Sequence, residues 1–279
     1  MSNSFVIRLL RKCLLFAAIG IGVLIFLVLL ASQVEQRLFR SRAELLLSQV
    51  QSLELRKAPW PDALRQLKRW ERESKFNDRC TRAECSIEIT LVEPVSGFLF
   101  RNLTFVHLDD YLRWRLRLCY DEGPFVRMKQ AMLQGYMLLG GRPATITASA
   151  GMRGGVVWSK GFSVVIETYW HNIPDFNPDR WFEYSLIAST GSVPHLDLSG
   201  QNWVDPQITL HPNYIISRPG GCEICIMGYV HFTPYADPAD IRRLMQLNLS
   251  CLTRIRPCLD QGDIMPAAWK QYLEERDRE

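Results

Sequence analysis

Apolar and polar positions mix at short range along most of the chain, but from Cys13 to Ala31 no charged or strongly polar side chain occurs. Those 19 residues would rise about 28 Å as a helix, close to the hydrocarbon thickness of a bilayer. The run predicts a transmembrane helix over 13–31. A cleaved signal peptide would need a shorter apolar core and an A-x-A-like site, whereas Leu29, Leu30 and Ala31 place a bulky side chain where a small one is required. The run therefore reads as a retained signal-anchor. Cys13 opens the run instead of following it, which argues against a lipid-modified cysteine.

Beyond the run, Val34, Leu38, Leu45, Leu46, Val50 and Leu53 recur at roughly helical spacing and predict a juxtamembrane helical stalk over 32–57. Seven-residue steps from Leu38 reach Leu45 and then Ser52, so a long coiled coil is not expected. Ala58-Pro-Trp-Pro61 interrupts the helix and restarts it, with Pro61 and Asp62 suited to a first turn and Leu64, Leu67 and Trp70 forming an apolar stripe.

After Cys85 the period changes to two. Strands are expected over Ser86–Val92, Leu112–Leu118, Ala144–Ala150, Phe162–Tyr169, Trp181–Ala188, Gln207–Leu210 and Tyr229–Thr233. Helices are expected over Phe125–Leu139, over Pro238–Thr253 with Asp237 as N-cap, and from about Pro266, carrying Trp269 and Tyr272. The fold class is α+β: a transmembrane helix and stalk, then one domain over 58–279 with an antiparallel or mixed β-sheet and packed helices.

Charge adds a direction. Residues 1–12 carry three basic and no acidic side chains, residues 32–75 ten basic and six acidic, and the rest 20 basic and 23 acidic. The positive-inside count is tied, because Arg8, Arg11 and Lys12 precede the run and Arg37, Arg40 and Arg42 follow it. The short basic amino terminus and the cysteine-rich remainder break the tie. Residues 1–12 are expected in the cytoplasm and the C-terminal domain outside it, in the periplasm or at the cell surface. The lipid bilayer is thus one partner through residues 13–31, the basic stalk suits anionic lipid, and an envelope protein is a further candidate partner. The mildly acidic remainder argues against nucleic acid.

Seven of the eight cysteines lie beyond the apolar run, most in close pairs, as suits an oxidising compartment. Cys80, Cys85, Cys222, Cys225, Cys251 and Cys258 are disulfide candidates, with Cys119 as the odd thiol. The competing reading is zinc held by Cys222, Cys225, Cys251 and Cys258, although the wide Cys251–Cys258 spacing departs from paired close ligands. Cys222-Glu-Ile-Cys225 has the spacing of a thiol-exchange motif, but it sits between a turn and a strand, not at the helix N-terminus that activates such thiols. The five histidines are scattered without metal-ligand spacing. His195, Asp197 and Ser192 lack the GxSxG elbow of a nucleophilic serine. No catalytic residue and no cofactor is assigned.

His211-Pro-Asn-Tyr214, Pro219-Gly-Gly-Cys-Glu-Ile-Cys225, Phe232-Thr-Pro-Tyr-Ala-Asp-Pro238 and Asp263-Ile-Met-Pro-Ala-Ala-Trp269, with the anchor and Cys80/Cys85, resemble single-pass membrane-anchored envelope proteins of bacteria. The resemblance implies a location and supplies no activity. The short helix before Cys80 is also similar to small envelope-assembly modules that pack two helices on a meander sheet. The expected function is a non-catalytic binding or assembly module of the cell envelope. The alternative is an envelope thiol oxidoreductase or other enzyme centred on the Cys222/Cys225 region.

Overall fold

A computed structural model describes residues 3–77, 80–95, 97, 135–137, 140–168, 182–190, 208–210, 214–217, 225–233, 235–254, 258 and 260–277. The expected strand Leu112–Leu118, most of the expected helix Phe125–Leu139, and Cys119 and Cys222 lie outside these residues.

Helix α1 runs without a break from Asn3 to Ser52. It is long and apolar enough to cross a membrane. Its environment changes within two residues: Leu30 is 53% exposed, whereas Ser32 is 6% exposed. From there Ser32, Gln36, Phe39, Ala43, Leu46, Val50 and Leu53 are all buried. These positions alternate steps of four and three residues, which puts them on one face of a helix. Residues 32–53 therefore do not stand apart as a stalk; they are a core element of the folded body. Val34 and Leu38 belong to the opposite face, at 51% and 59% exposed. The polar Gln36 in the buried stripe is what hides its register from a count of apolar residues.

The stripe packs on one face of an eight-stranded sheet. The strands are β1 Ser74–Phe76, β2 Glu84–Val92, β3 Ala144–Arg153, β4 Val156–Thr168, β5 Phe182–Thr190, β6 Ile208–Leu210, β7 Tyr214–Ser217 and β8 Cys225–Phe232, in the spatial order β1-β2-β3-β4-β5-β8-β7-β6. Neighbours are antiparallel except β5 and β8, which are parallel, so the sheet is mixed. Period-two burial in β3 turns Ala144, Ile146, Ala148 and Ala150 inward, and the small side chains let α1 approach closely. Strands β1 and β7 are too short for their alternation to register in the sequence.

Helix α2, Trp60–Leu67, has Pro61 in its first turn as expected and buries Trp60, Ala63 and Leu67. The 3₁₀ turn after it buries Trp70, whose indole N–H donates to Gln49 Oε1 of α1 at 2.6 Å. The expected helix Pro238–Thr253 is shorter. Helix α3 spans Pro238–Leu244, capped by Asp237, and after a break a 3₁₀ turn covers Leu249–Leu252. Asn248 caps that turn: its side chain accepts from Ser250 N–H at 3.1 Å. Helices α4, Gln261–Ile264, and α5, Pro266–Arg276, close the core with Ile264, Ala268 and Tyr272.

Candidate functional site

Strand and helix directions give the body two ends. At the near end, beside the apolar run, lie the start of β3 and the Gln33–Gln36 turn of α1. At the far end lie the C-terminus of α1, the β3–β4 hairpin and the segment leading into α3. From Ala31 to Ser52 the helix rises about 30 Å, which separates the two.

The near end holds a buried polar cluster. Tyr136 OH donates to Glu93 Oε1 at 2.7 Å and accepts from Gln36 Nε2 at 2.8 Å, and Gln36 Nε2 also reaches the Arg142 carbonyl at 3.2 Å. Glu93 further accepts from Val95 N–H. Arg142 donates to the carbonyls of Gly141 and Met137. Gly141 packs against the Tyr136 ring so closely that a Cβ there would overlap it. Burial first, and then the Glu93 carboxylate, hold the Tyr136 phenol well above its ordinary pKa. This cluster has the character of a lock: its contacts are internal and it joins α1 to the sheet.

The far end is open. A cleft of about 270 Å³ is walled by residues 51–57 on one side and by Ala236, Pro238, Ile241 and Arg242 on the other, with Lys160 in its lining. Lys160 is 5% exposed. Its Nζ donates to the carbonyls of Gln51 at 2.6 Å and Leu53 at 2.8 Å. The last carbonyls of a helix lack intrahelical donors and carry partial negative charge, so a lysine is a fitting cap. Burial, and secondarily the Arg242 charge, lower the Lys160 ammonium to about 8, with Glu54 acting the other way. Gln51 Nε2 donates to the Arg242 carbonyl at 3.3 Å and ties α3 to the end of α1.

Along the rim runs a series of stacked cations and rings. Arg56 lies over the Tyr235 ring at 4.9 Å, Tyr235 meets Trp158 edge-on at 6.4 Å, and Arg153 lies 5.8 Å from the Trp158 ring. Tyr235 is 63% exposed. Two backbone irregularities place these side chains. Arg56 has φ 63°, the one positive φ outside glycine among the described residues, and its N–H donates to the Val157 carbonyl at 2.7 Å. The β3–β4 register shifts between Gly151 and Met152, which leaves Trp158 as the extra, unpaired residue of a bulge. Strained backbone and bulges concentrate where a side chain must be aimed. The hairpin turns through Gly154 and Gly155, both at positive φ, as a two-residue connection requires.

Cys80 and Cys85 form a disulfide at this end, and Cys251 and Cys258 form another within the core. With Cys251 and Cys258 joined to each other, those sulfurs are not two thiolates of a zinc site. Among the described residues no group of His, Cys, Asp and Glu has the geometry to hold a metal ion. Cys225 opens strand β8 at the near end of the sheet, paired in register with Glu183. Four of the histidines lie outside the described residues, as do Ser192 and Asp197. His231 stacks on Tyr229 at 5.9 Å.

The far-end residues Arg56, Trp158, Lys160, Tyr235 and Arg242 did not stand out in the sequence. Tyr235 falls within one of the motifs noted there, and the Gly154-Gly155 turn signals a hairpin tip, but strand register and positive φ arise only once the chain is folded. No family model matches the chain, no curated protein matches it and no solved structure matches it.

Proposed function

We propose that the protein is a single-pass membrane protein of the cell envelope, with residues 1–12 cytoplasmic and the folded body outside. It acts there as a non-catalytic binding or assembly module. The observation that carries this reading is the two-part environment of α1. Leu15 to Leu30 are apolar and, Leu29 apart, exposed, and one face of Phe39 to Leu53 fills the core of the body. An apolar helix surface of that length is stable only in lipid or against another apolar surface. The disulfides Cys80–Cys85 and Cys251–Cys258 suit a body on the oxidising side. The body faces outward with the tyrosine, tryptophan and arginine side chains that dominate binding hot spots.

The anchor is tested by fractionation of cells expressing the full chain. The native protein stays with membranes through alkaline carbonate, and a Leu24→Arg, Val28→Arg variant is released with its fold intact. A native chain that fractionates as a soluble protein defeats the proposal. Orientation is tested by proteolysis of intact cells or spheroplasts, where the body is degraded before the cytoplasmic face is opened. Binding is tested by a photocrosslinking residue at Ala239, exposed beside the cleft, which captures a discrete envelope partner in living cells.

A further inference from the structure

Among the described residues, the charged side chains lining the far-end cleft are mostly basic. Arg56, Lys57 and Arg242 line it together with Lys160, and the carboxylate among them is that of Glu54, which lies 3.9 Å from Lys57. The nearby acids of α3 are engaged elsewhere: Asp240 pairs with Arg243 at 2.9 Å, and Asp237 caps its own helix through Ala239 N–H. Arg242 and Lys160 repel one another across the cleft, a cost that an incoming anion would relieve. The remaining walls are apolar: Leu53, Ala236, Pro238 and Ile241. A ligand suited to this lining carries an anionic group and apolar flanks.

Lipid headgroups are an unsuitable source. The cleft lies past the end of α1, about 30 Å along the helix from the apolar run, whereas membrane charge is screened within about 10 Å. Small-molecule sites run roughly 300–1,000 Å³, so 270 Å³ suits one or two side chains of an incoming segment better than a whole metabolite. Arginine presents a planar fork that matches a carboxylate. The exposed Tyr235 and the neighbouring Trp158 offer flat apolar surface at the mouth.

We infer that this cleft seats a carboxylate of an acidic, partly apolar peptide segment belonging to a partner protein, with the Arg56 and Arg242 guanidiniums on the carboxylate and a flanking apolar side chain on Tyr235. The inference rests on the binding-module reading and adds the chemistry of the partner. Lys160 holds the end of α1 in place and contributes its charge from beneath.

The test uses the full chain in phosphatidylcholine nanodiscs and a fluorescein-labelled octapeptide alternating glutamate with leucine, followed by anisotropy. Saturable binding is expected, weakened about tenfold or more when glutamine replaces glutamate, by Arg242→Glu, and by raising salt from 50 to 300 mM. About tenfold corresponds to one charge contact of ~1.4 kcal/mol. Arg72→Glu, outside the cleft, leaves binding unchanged. Arg56→Gln is the second variant and weakens binding even if Arg242→Glu lowers the unfolding midpoint. Absence of saturable binding, equal binding of the glutamine peptide, or binding unaffected by either arginine change overturns the inference. Inorganic phosphate that binds at the cleft while the peptide does not also overturns it, in favour of a free-anion site. A partner captured from Ala239 equally in native and Arg242→Glu cells overturns the cleft assignment and leaves the binding-module reading intact. Peptide binding with no partner captured in cells keeps the cleft and removes the assembly role.

Discussion

The two ends of the folded body solve the same problem in opposite ways. Each must fix helix α1 to the sheet. At the near end α1 continues into the apolar run, so its backbone is already hydrogen-bonded and attachment falls to side chains: Gln36 to Tyr136, and Tyr136 to Glu93. At the far end α1 stops, its last carbonyls need donors, and Lys160 from β4 supplies them. The near device closes on itself. The far device places a cation at the base of an open cleft and leaves arginines on its rim. One end is spent on holding the helix, whereas the other holds the helix and still presents chemistry to the outside.

The largest expected effect falls midway between the ends and sets the scale for both. Leu46 is 0% exposed, and Leu46→Ala lowers unfolding free energy by about 2–5 kcal/mol, read from denaturant titration in detergent micelles. Lys160→Met comes next, at about 2–3 kcal/mol, because it strips one buried and one part-buried carbonyl of their donor. If the cost is near zero, the carbonyls have found water and the far end is not a cap. Tyr136→Phe costs about 1–2 kcal/mol by depriving Glu93 and Gln36 of the shared hydroxyl; a cost matching that of Lys160→Met would erase the contrast between a neutral tie and a charged one. Arg56→Gly raises stability by about 0.5–1 kcal/mol, since glycine accepts the positive φ without strain, while exposing more of the Tyr235 ring to solvent.

The smallest effect is one of pH. Lys160 has a folded pKa of about 8 against an ordinary 10.5. Between those values the unfolded chain holds the proton that the folded chain has lost, so stability rises as pH climbs through that window and falls as pH returns to 8. Tyr136, raised in the fold, acts oppositely: its contribution is complete below its ordinary pKa of 10.0 and is lost above it. Unfolding midpoints between pH 8 and 9.5 should therefore climb in the native chain and climb less in Lys160→Met. A native profile that is flat or falling there counts against the buried lysine.

Much of this architecture was legible in the sequence where side chains follow a simple period. Residues 86–92, 144–150, 162–168 and 229–232 all fall within observed strands, and Pro61, Asp237 and Pro266 each mark a helix start. The failures have physical causes. Gln36 occupies a core position with its amide NH2 held by Tyr136 and the Arg142 carbonyl, so the buried stripe reads as polar at its first turns and 32–57 reads as a juxtamembrane stalk. The helix from Pro238 ends at Leu244 although its apolar spacing runs on to Leu252, and Asn248 opens a separate 3₁₀ turn by capping Ser250 N–H. The cleft was invisible because its residues come from separate parts of the chain, α1's end, β4 and α3, and meet only through strand register. The cysteines were legible as pairs 80/85 and 251/258 because short loops bring partners together at little entropic cost.

The heptad-spaced seam of α1 also makes the body a ruler. The far end stands a fixed distance from the apolar run because the same helix spans both, without a hinge. That distance cannot drift in small steps. Inserting one residue just after Ser32 would turn everything beyond it by about 100° and roll Phe39, Leu46 and Val50 out of register with Ser32. Only changes of whole seven-residue units keep the seam intact, at about 10 Å each. Whatever meets the far end must therefore be matched to one height, so partner and protein can change reach only together and in jumps.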